Sequence, residues 1–376
     1  MKLKDYQQEA LDVFTEYLSL LRTKQNDADV AQAAFEALPE AVREPLRASF
    51  RPADPLIDTW TALPQMPQGA VRGAWTDLKY GANASIPNVC LKLPTGGGKT
   101  LLAAHGVERL QVDWLQRQVG LVLWIVPSEA IYSQTLKALK DRESALRQVL
   151  DRASAGRTRI LEKGDSFTRA DLDSRLCVMV LMLQAARRVD ESVLRMFRGG
   201  GDVSFFPDET DKAAIDAARA ATSNLDVYDL GDSAMVGSVK RTLANVLRIV
   251  RPVVVLDEAH NAASELGRKT LAKLNPAFIL ELTATPTPLS NVLVDVQGLA
   301  LRDEEMIKLP INVAVDVRGR WQDTLRAALD KLNDLDASAQ DHRAASGDYI
   351  RPIMIVRVDF TGEKQRDRPI HVEDAI

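Results

Sequence analysis

Apolar positions near the start of the chain fall at Tyr6, Ala10, Val13, Phe14, Tyr17, Leu18 and Leu21. This is the spacing of one helical face, and it predicts an amphipathic helix over residues 4–22. Helical spacing resumes over residues 28–49. Pro52, Pro55, Pro64, Pro67 and Pro87 then punctuate a long connection that carries Trp60 and Trp75. From Val89 the period changes. Short apolar runs at 89–93, 119–126, 176–183, 252–256 and 277–282 alternate with helical stretches. Runs of this length without polar alternation suit strands covered on both faces. The pattern therefore predicts an α/β domain with a doubly wound parallel sheet, whose ligands would bind beyond the carboxyl ends of the strands.

The region 199–250 has little strand character and reads as an insertion, with helical patches at 213–221 and 239–249. After Pro310 come a strand-like run at 311–317, a helix over 321–335, a polar stretch to Gly347 and a further apolar run at 352–358. A second α/β unit starts there and is not completed by Ile376. The expected division is a helical N-terminal segment over 1–88, the main α/β domain over 89–300, and a linker with the beginning of a second domain over 301–376.

Composition narrows the function classes. Lys and Arg number 48 against 52 Asp and Glu, for a net charge of -4 and a pI near 5.7. A nucleic acid site on such a chain has to be a local cleft, since no global basic field exists to provide one. Cys90 and Cys177 both fall in apolar runs that read as buried strands, which suits a reducing cytoplasm rather than a disulfide-stapled secreted protein. The N-terminus has no apolar signal core, and no run is long enough to cross a bilayer. Four dispersed histidines offer no transition-metal constellation.

Two stretches carry chemistry. Leu93-Pro94-Thr95-Gly96-Gly97-Gly98-Lys99-Thr100 follows one apolar run and opens a helical one. A strand, a glycine-rich turn and a helix in that order gather backbone N–H groups and the positive end of a helix dipole around one point, which suits a phosphate chain. Lys99 can reach β- and γ-phosphates and the Thr100 hydroxyl can ligate magnesium. Leu93 departs from the general phosphate-loop pattern, which has a glycine there. The second stretch is Val253-Val254-Val255-Leu256-Asp257-Glu258-Ala259-His260, an apolar run that ends in two carboxylates. Nucleotide hydrolysis needs two such groups with different tasks: Asp257 to hold the magnesium through its water shell, and Glu258 to orient and polarise the attacking water.

These stretches, with Thr283-Ala284-Thr285, occur in the order and approximate spacing of motifs I, II and III of superfamily 2 helicases and translocases. The chain resembles the ATPase (Res) subunit of type III restriction enzymes and related DEAD/DEAH-box proteins over roughly residues 3–290. The resemblance implies a RecA-like P-loop domain followed by the start of a second RecA-like lobe, with ATP and magnesium as cofactors. It implies nucleotide contacts from Thr95, Gly96, Gly97, Gly98, Lys99 and Thr100, and a place for His260 in the catalytic group. Gln7, in Leu3-Lys4-Asp5-Tyr6-Gln7, is similar to the glutamine that reads an adenine edge, although it also reads as the polar face of the first helix. Thr283 and Thr285 would link the nucleotide site to the nucleic acid side by hydrogen bonding toward His260. Pro127, Ser128 and Gln184 stand where relatives touch the nucleic acid backbone; a hydroxyl or amide after a strand also reads as a helix cap. Arg187 and Arg188 read equally as phosphate contacts or as a solvated face.

The implied activity is an ATP-dependent DNA helicase or translocase motor, partnered by DNA and a modification methyltransferase subunit. Alternatives are an RNA helicase of the DEAD-box kind, or an ATP-gated binding module that unwinds nothing. Relatives place arginines that stabilise the transition state in the second lobe, so the chain by itself is expected to bind ATP and hydrolyse it slowly. Pro207-Asp208-Glu209-Thr210-Asp211-Lys212 superficially resembles a nuclease cluster, but six consecutive loop residues cannot surround a metal as acids on adjacent strands do. Trp114 and Trp124 read as core, while Trp60 and Trp75 stay open as base-stacking candidates.

Overall fold

The apolar runs after Val89 become a seven-stranded, all-parallel sheet. The computed structural model describes residues 2–47, 49–50, 53–66, 72–80, 84–162, 164–182, 200–228, 237–258, 265–307 and 321–356. A two-stranded ribbon of β1 (Lys79–Tyr80) and β2 (Ala84–Ser85) precedes the sheet. The sheet strands are β3 (Asn88–Lys92), β4 (Gly120–Val126), β5 (Thr158–Leu161), β6 (Leu176–Met182), β7 (Val253–Asp257), β8 (Phe278–Thr283) and β9 (Val292–Asp295), in the order β5-β6-β4-β7-β8-β3-β9. Five of these strands coincide with the expected runs. β5 and β9 do not: each is four residues long; β5 opens on Thr158 and Arg159, and β9 offers only Val292, Leu293 and Val294 before Asp295.

The helices are α1 (Asp5–Glu36), α2 (Glu40–Arg47), α3 (Pro55–Ala62), α4 (Lys99–Arg109), α5 (Glu129–Lys140), α6 (Ala145–Ala153), α7 (Arg169–Ser174), α8 (Lys212–Ala221), α9 (Leu243–Val250), α10 (Glu265–Ala272), α11 (Gly298–Asp303) and α12 (Trp321–Ser346). One π-helical turn, Leu110–Trp114, continues α4. Alternate side chains of each strand enter separate cores, which is why the runs carry no polar alternation. On one face Val122, Trp124, Val253, Val255, Phe278 and Leu280 pack under α1, α4 and α6. On the other, Leu123, Ile125, Val254, Leu256 and Ile279 pack with Leu247, Leu271 and Leu274. Phe278 receives the rings of Phe14, Tyr17 and Trp114 edge-on, at centroid distances of 5.9, 6.3 and 5.4 Å, the geometry that aromatic quadrupoles favour.

The first helix is longer than its apolar stripe. Buried residues stop at Leu21, yet the helix runs on to Glu36, because no glycine or proline interrupts it before Pro39. Trp60 is buried, donates its indole N–H to the Gly73 carbonyl at 2.9 Å and packs on Trp75. That pairing makes Trp60 a core residue and not a stacking platform. Cys90 and Cys177 are both free and buried; burial pushes both thiols up, that of Cys177 to about 11.

The chain divides into two units, 1–308 and 309–376. In the second, α12 continues well past residue 335, through an alanine-rich stretch where the sequence predicts a polar connection. It ends where Gly347, at φ +83°, donates its N–H to the Arg343 carbonyl at 2.8 Å. The expected strand at 311–317 lies outside the described residues, and no strand forms over 352–356. No helix among the described residues is long and apolar enough to cross a membrane.

Candidate active site

Parallel pairing brings the carboxyl ends of β3, β7 and β8 to one edge. The register sets Lys92 beside Thr283 and Asp257 beside Leu282, so the three strand ends are level. β3 leads into the loop 93–98 and α4. Gly96 and Gly98 take φ of +86° and +73°, conformations open to glycine at little cost. A Cβ on Gly97 would stand 3.1 Å from the Pro94 carbonyl oxygen. Leu93, where the general motif has glycine, needs none: it has no positive φ, its N–H bonds the Thr283 carbonyl at 3.0 Å, and its side chain is buried.

The two chemical stretches meet at Lys99. Its Nζ lies 2.7 Å from Glu258 Oε1 and also donates to the carbonyls of Pro94 at 3.1 Å and Leu93 at 3.4 Å. Glu258 holds a left-handed φ of +55°, uncommon for a residue with a side chain, and its N–H is bonded to the Leu282 carbonyl at 3.0 Å.

Asp257 is buried, and burial raises its carboxyl above the usual range. The Thr100 hydroxyl and Trp124 indole offset part of this, Glu258 adds to it, and Lys99 opposes it. Among the described residues Asp257 Oδ2 has no hydrogen-bond partner, and the Trp124 N–H lies nearby without closing a bond of ordinary geometry. A buried carboxylate oxygen without a partner, beside a hydroxyl, is a hard-oxygen donor set, and it fits a magnesium ion.

The same feature makes a stability prediction. Because the native carboxyl holds its proton to higher pH than the unfolded one, its contribution to stability is largest below the ordinary carboxylate range. It is lost as pH rises through the raised value. Asp257→Asn is therefore expected to stabilise the nucleotide-free protein by about 1 kcal/mol at neutral pH. The gain should shrink in mild acid, as read by denaturation midpoints at the two pH values.

Gln7 is buried against the loop: Nε2 donates to the Gly97 carbonyl at 3.0 Å and Oε1 accepts the Lys4 N–H at 3.0 Å. Two residues that sequence reasoning missed join it. The Tyr6 hydroxyl donates to the same carbonyl at 3.0 Å, and Glu304 accepts the Asp5 N–H at 3.1 Å and pairs with Lys4. Tyr6 was visible only as one member of the apolar stripe, and no sequence signal connects Glu304 to this helix.

Thr283 is buried, with its hydroxyl accepting the Thr285 N–H at 3.2 Å. Ser128 is exposed and caps α5, its Oγ accepting the Ile131 N–H at 3.4 Å; Pro127 beside it is half-buried. His260, Gln184, Arg187 and Arg188 lie outside the described residues. The acidic loop at 207–212 serves local structure, since Asp211 caps α8 and Glu209 pairs with Arg241 at 3.0 Å.

Sheet, phosphate loop and acidic strand tip together define a RecA-like P-loop domain of the superfamily 2 helicase-like ATPases. The family model described as type III restriction enzyme, res subunit, matches residues 1–288, and the chain belongs to that family. No curated protein matches it. ATP and magnesium are the cofactors this family generally uses.

Proposed function

We propose that the chain is the ATP-binding and ATP-hydrolysing motor domain of a DNA helicase or translocase of the type III restriction kind, acting in the cytoplasm with a modification methyltransferase subunit. The observation that carries this reading is the 2.7 Å contact between the Lys99 amine and the Glu258 carboxylate. It joins the glycine-rich loop to the acidic strand tip across two chain segments far apart in sequence. In this reading the backbone of Thr95, Gly96, Gly97 and Gly98 cradles the phosphates, Lys99 turns from Glu258 to the β- and γ-phosphates, and Gln7 uses its remaining hydrogen-bonding capacity on the adenine edge. Thr100 and Asp257 would hold magnesium. Bound magnesium ATP supplies the labile phosphoryl group and a divalent charge that offsets its oxygens. Glu258, once released by Lys99, orients the attacking water. Thr283 and Thr285 couple this edge to nucleic acid, which Pro127, Ser128 and Gln184 meet through its backbone.

The test is phosphate release with and without duplex DNA or RNA at one fixed salt concentration, with Lys99→Ala as the blank and calorimetry of magnesium ATP binding alongside. DNA stimulation that Lys99→Ala abolishes is expected. Greater stimulation by RNA would replace the DNA reading, binding without stimulation by either would indicate a nucleotide-gated module, and no Lys99-dependent heat would end the motor reading.

A further inference from the structure

The first turn of α1 grips the phosphate loop at a single atom. The Gly97 carbonyl oxygen accepts both the Tyr6 hydroxyl and the Gln7 amide at 3.0 Å. In a planar trans peptide the carbonyl and the following N–H point to opposite sides. Holding the Gly97 oxygen toward α1 therefore turns the Gly98 N–H away from α1. We propose that Tyr6 is a positioning residue of the phosphate loop: with Gln7 it presets the Gly97–Gly98 peptide, so that the Gly98 N–H is aimed before any polyphosphate arrives. The inference rests on the nucleotide reading above and adds a residue to it.

Three further observations support the assignment. A Cβ on Gly98 would stand 2.5 Å from Gln7 Nε2, so loop and helix are already in close contact and the brace leaves no slack. The Tyr6 ring is buried in the core, which directs its hydroxyl; burial, and then the nearby Glu304 carboxylate, keep that hydroxyl protonated as a donor. The helix start is itself anchored. Glu304 accepts the Asp5 N–H at 3.1 Å, the Lys4 amine reaches the Glu304 carbonyl at 3.1 Å, and its carboxylate is 3.4 Å away. Ile307 and Leu301, from the same stretch as Glu304, stand 3.5 and 3.4 Å from the Cβ positions of Gly96 and Gly97. The loop is thus held between α1 and residues 301–307. A donor aimed in advance costs no reorganisation when charge arrives, which is the physical advantage of such a brace.

Tyr6→Phe keeps the ring and removes one donor. The experiment measures calorimetric affinity of the full chain for magnesium ATP and for magnesium tripolyphosphate, together with amide hydrogen exchange of residues 96–99 in the nucleotide-free protein and the melting temperature. Affinity for both ligands is expected to fall by about three- to tenfold, the range for one lost hydrogen bond. Exchange at Gly97, whose N–H donates to the Pro94 carbonyl at 3.1 Å, should quicken while the melting temperature falls by a few degrees at most. Glu304→Ala, which leaves the hydroxyl but loosens the helix start, should shift the same readings in the same direction by a smaller factor. Loss of ATP affinity with tripolyphosphate unaffected would place Tyr6 at the base instead of the loop and overturn the proposal. So would unchanged exchange. If the unaltered protein bound neither ligand, the nucleotide reading would fail, and the exchange measurement would still decide whether Tyr6 holds the loop.

Discussion

Glu258→Gln is expected to bind magnesium ATP at least as tightly as the unaltered protein while turning it over about 10²–10⁴-fold more slowly, the usual loss when a positioned acid–base group is removed. The two effects separate because Glu258 has two relationships in this structure. Its carboxylate is paired with Lys99 at 2.7 Å, a contact that any phosphate must break, and an amide of the same shape holds the lysine less firmly. Its backbone is set independently of the side chain, by the bond from its N–H to the Leu282 carbonyl. The substitution therefore leaves the strand tip in place and removes only the group that would polarise water. Calorimetric affinity set against steady-state phosphate release checks this. Binding and turnover that fall together would mean that Glu258 serves mainly to build the site.

Arg268→Met is expected to destabilise the protein by about 3–5 kcal/mol, the cost of leaving a buried charge without its partner. Arg268 on α10 and Glu281 on β8 are both buried, and they meet at 3.1 Å. The same guanidinium reaches Asn88 Oδ1 at 3.3 Å, and Glu281 accepts the Ser290 hydroxyl at 3.0 Å. One ion pair thereby ties the helix that follows the acidic tip to the strand ending at Thr283 and to the loop beyond it. Replacing both partners, as Arg268→Met with Glu281→Leu, is expected to recover most of the loss, since paired apolar side chains of similar volume are often tolerated where a broken pair is not. Denaturant midpoints of the single and double variants decide it, and a double variant no better than Arg268→Met would show that the surrounding hydrogen bonds, not the charges, carry the stability.

How far the chain could be read in advance follows from how local each signal is. The phosphate loop and the acidic tip were legible because each places its chemistry within eight consecutive residues, and the central strands because both of their faces are covered. β5 and β9 were not legible. At the flanks of a sheet a strand is short and need not be apolar throughout, so periodicity has little to register. The lengths of α1 and α12 were underestimated for the opposite reason: apolar spacing marks where a helix is packed, whereas its end is set by where glycine or proline first intervenes. Ser128 illustrates a third limit, since its exposed hydroxyl caps α5 and the same position suits a backbone contact. The Tyr6 and Glu304 contacts were beyond reach, because they join the first turn of α1 to partners 91 and 300 residues later in the chain.

The sheet has a further consequence as a partition. Its two faces fill separate apolar layers, one containing α1 and α4, the other containing Leu271 and Ala272 of α10. The loop that would grip phosphate is steadied from the first layer, and the helix after the carboxylates from the second. Packing defects introduced on opposite sides should accordingly reach the reaction edge by independent routes and combine as simple sums of free energy, while two defects on the same side should interfere with one another.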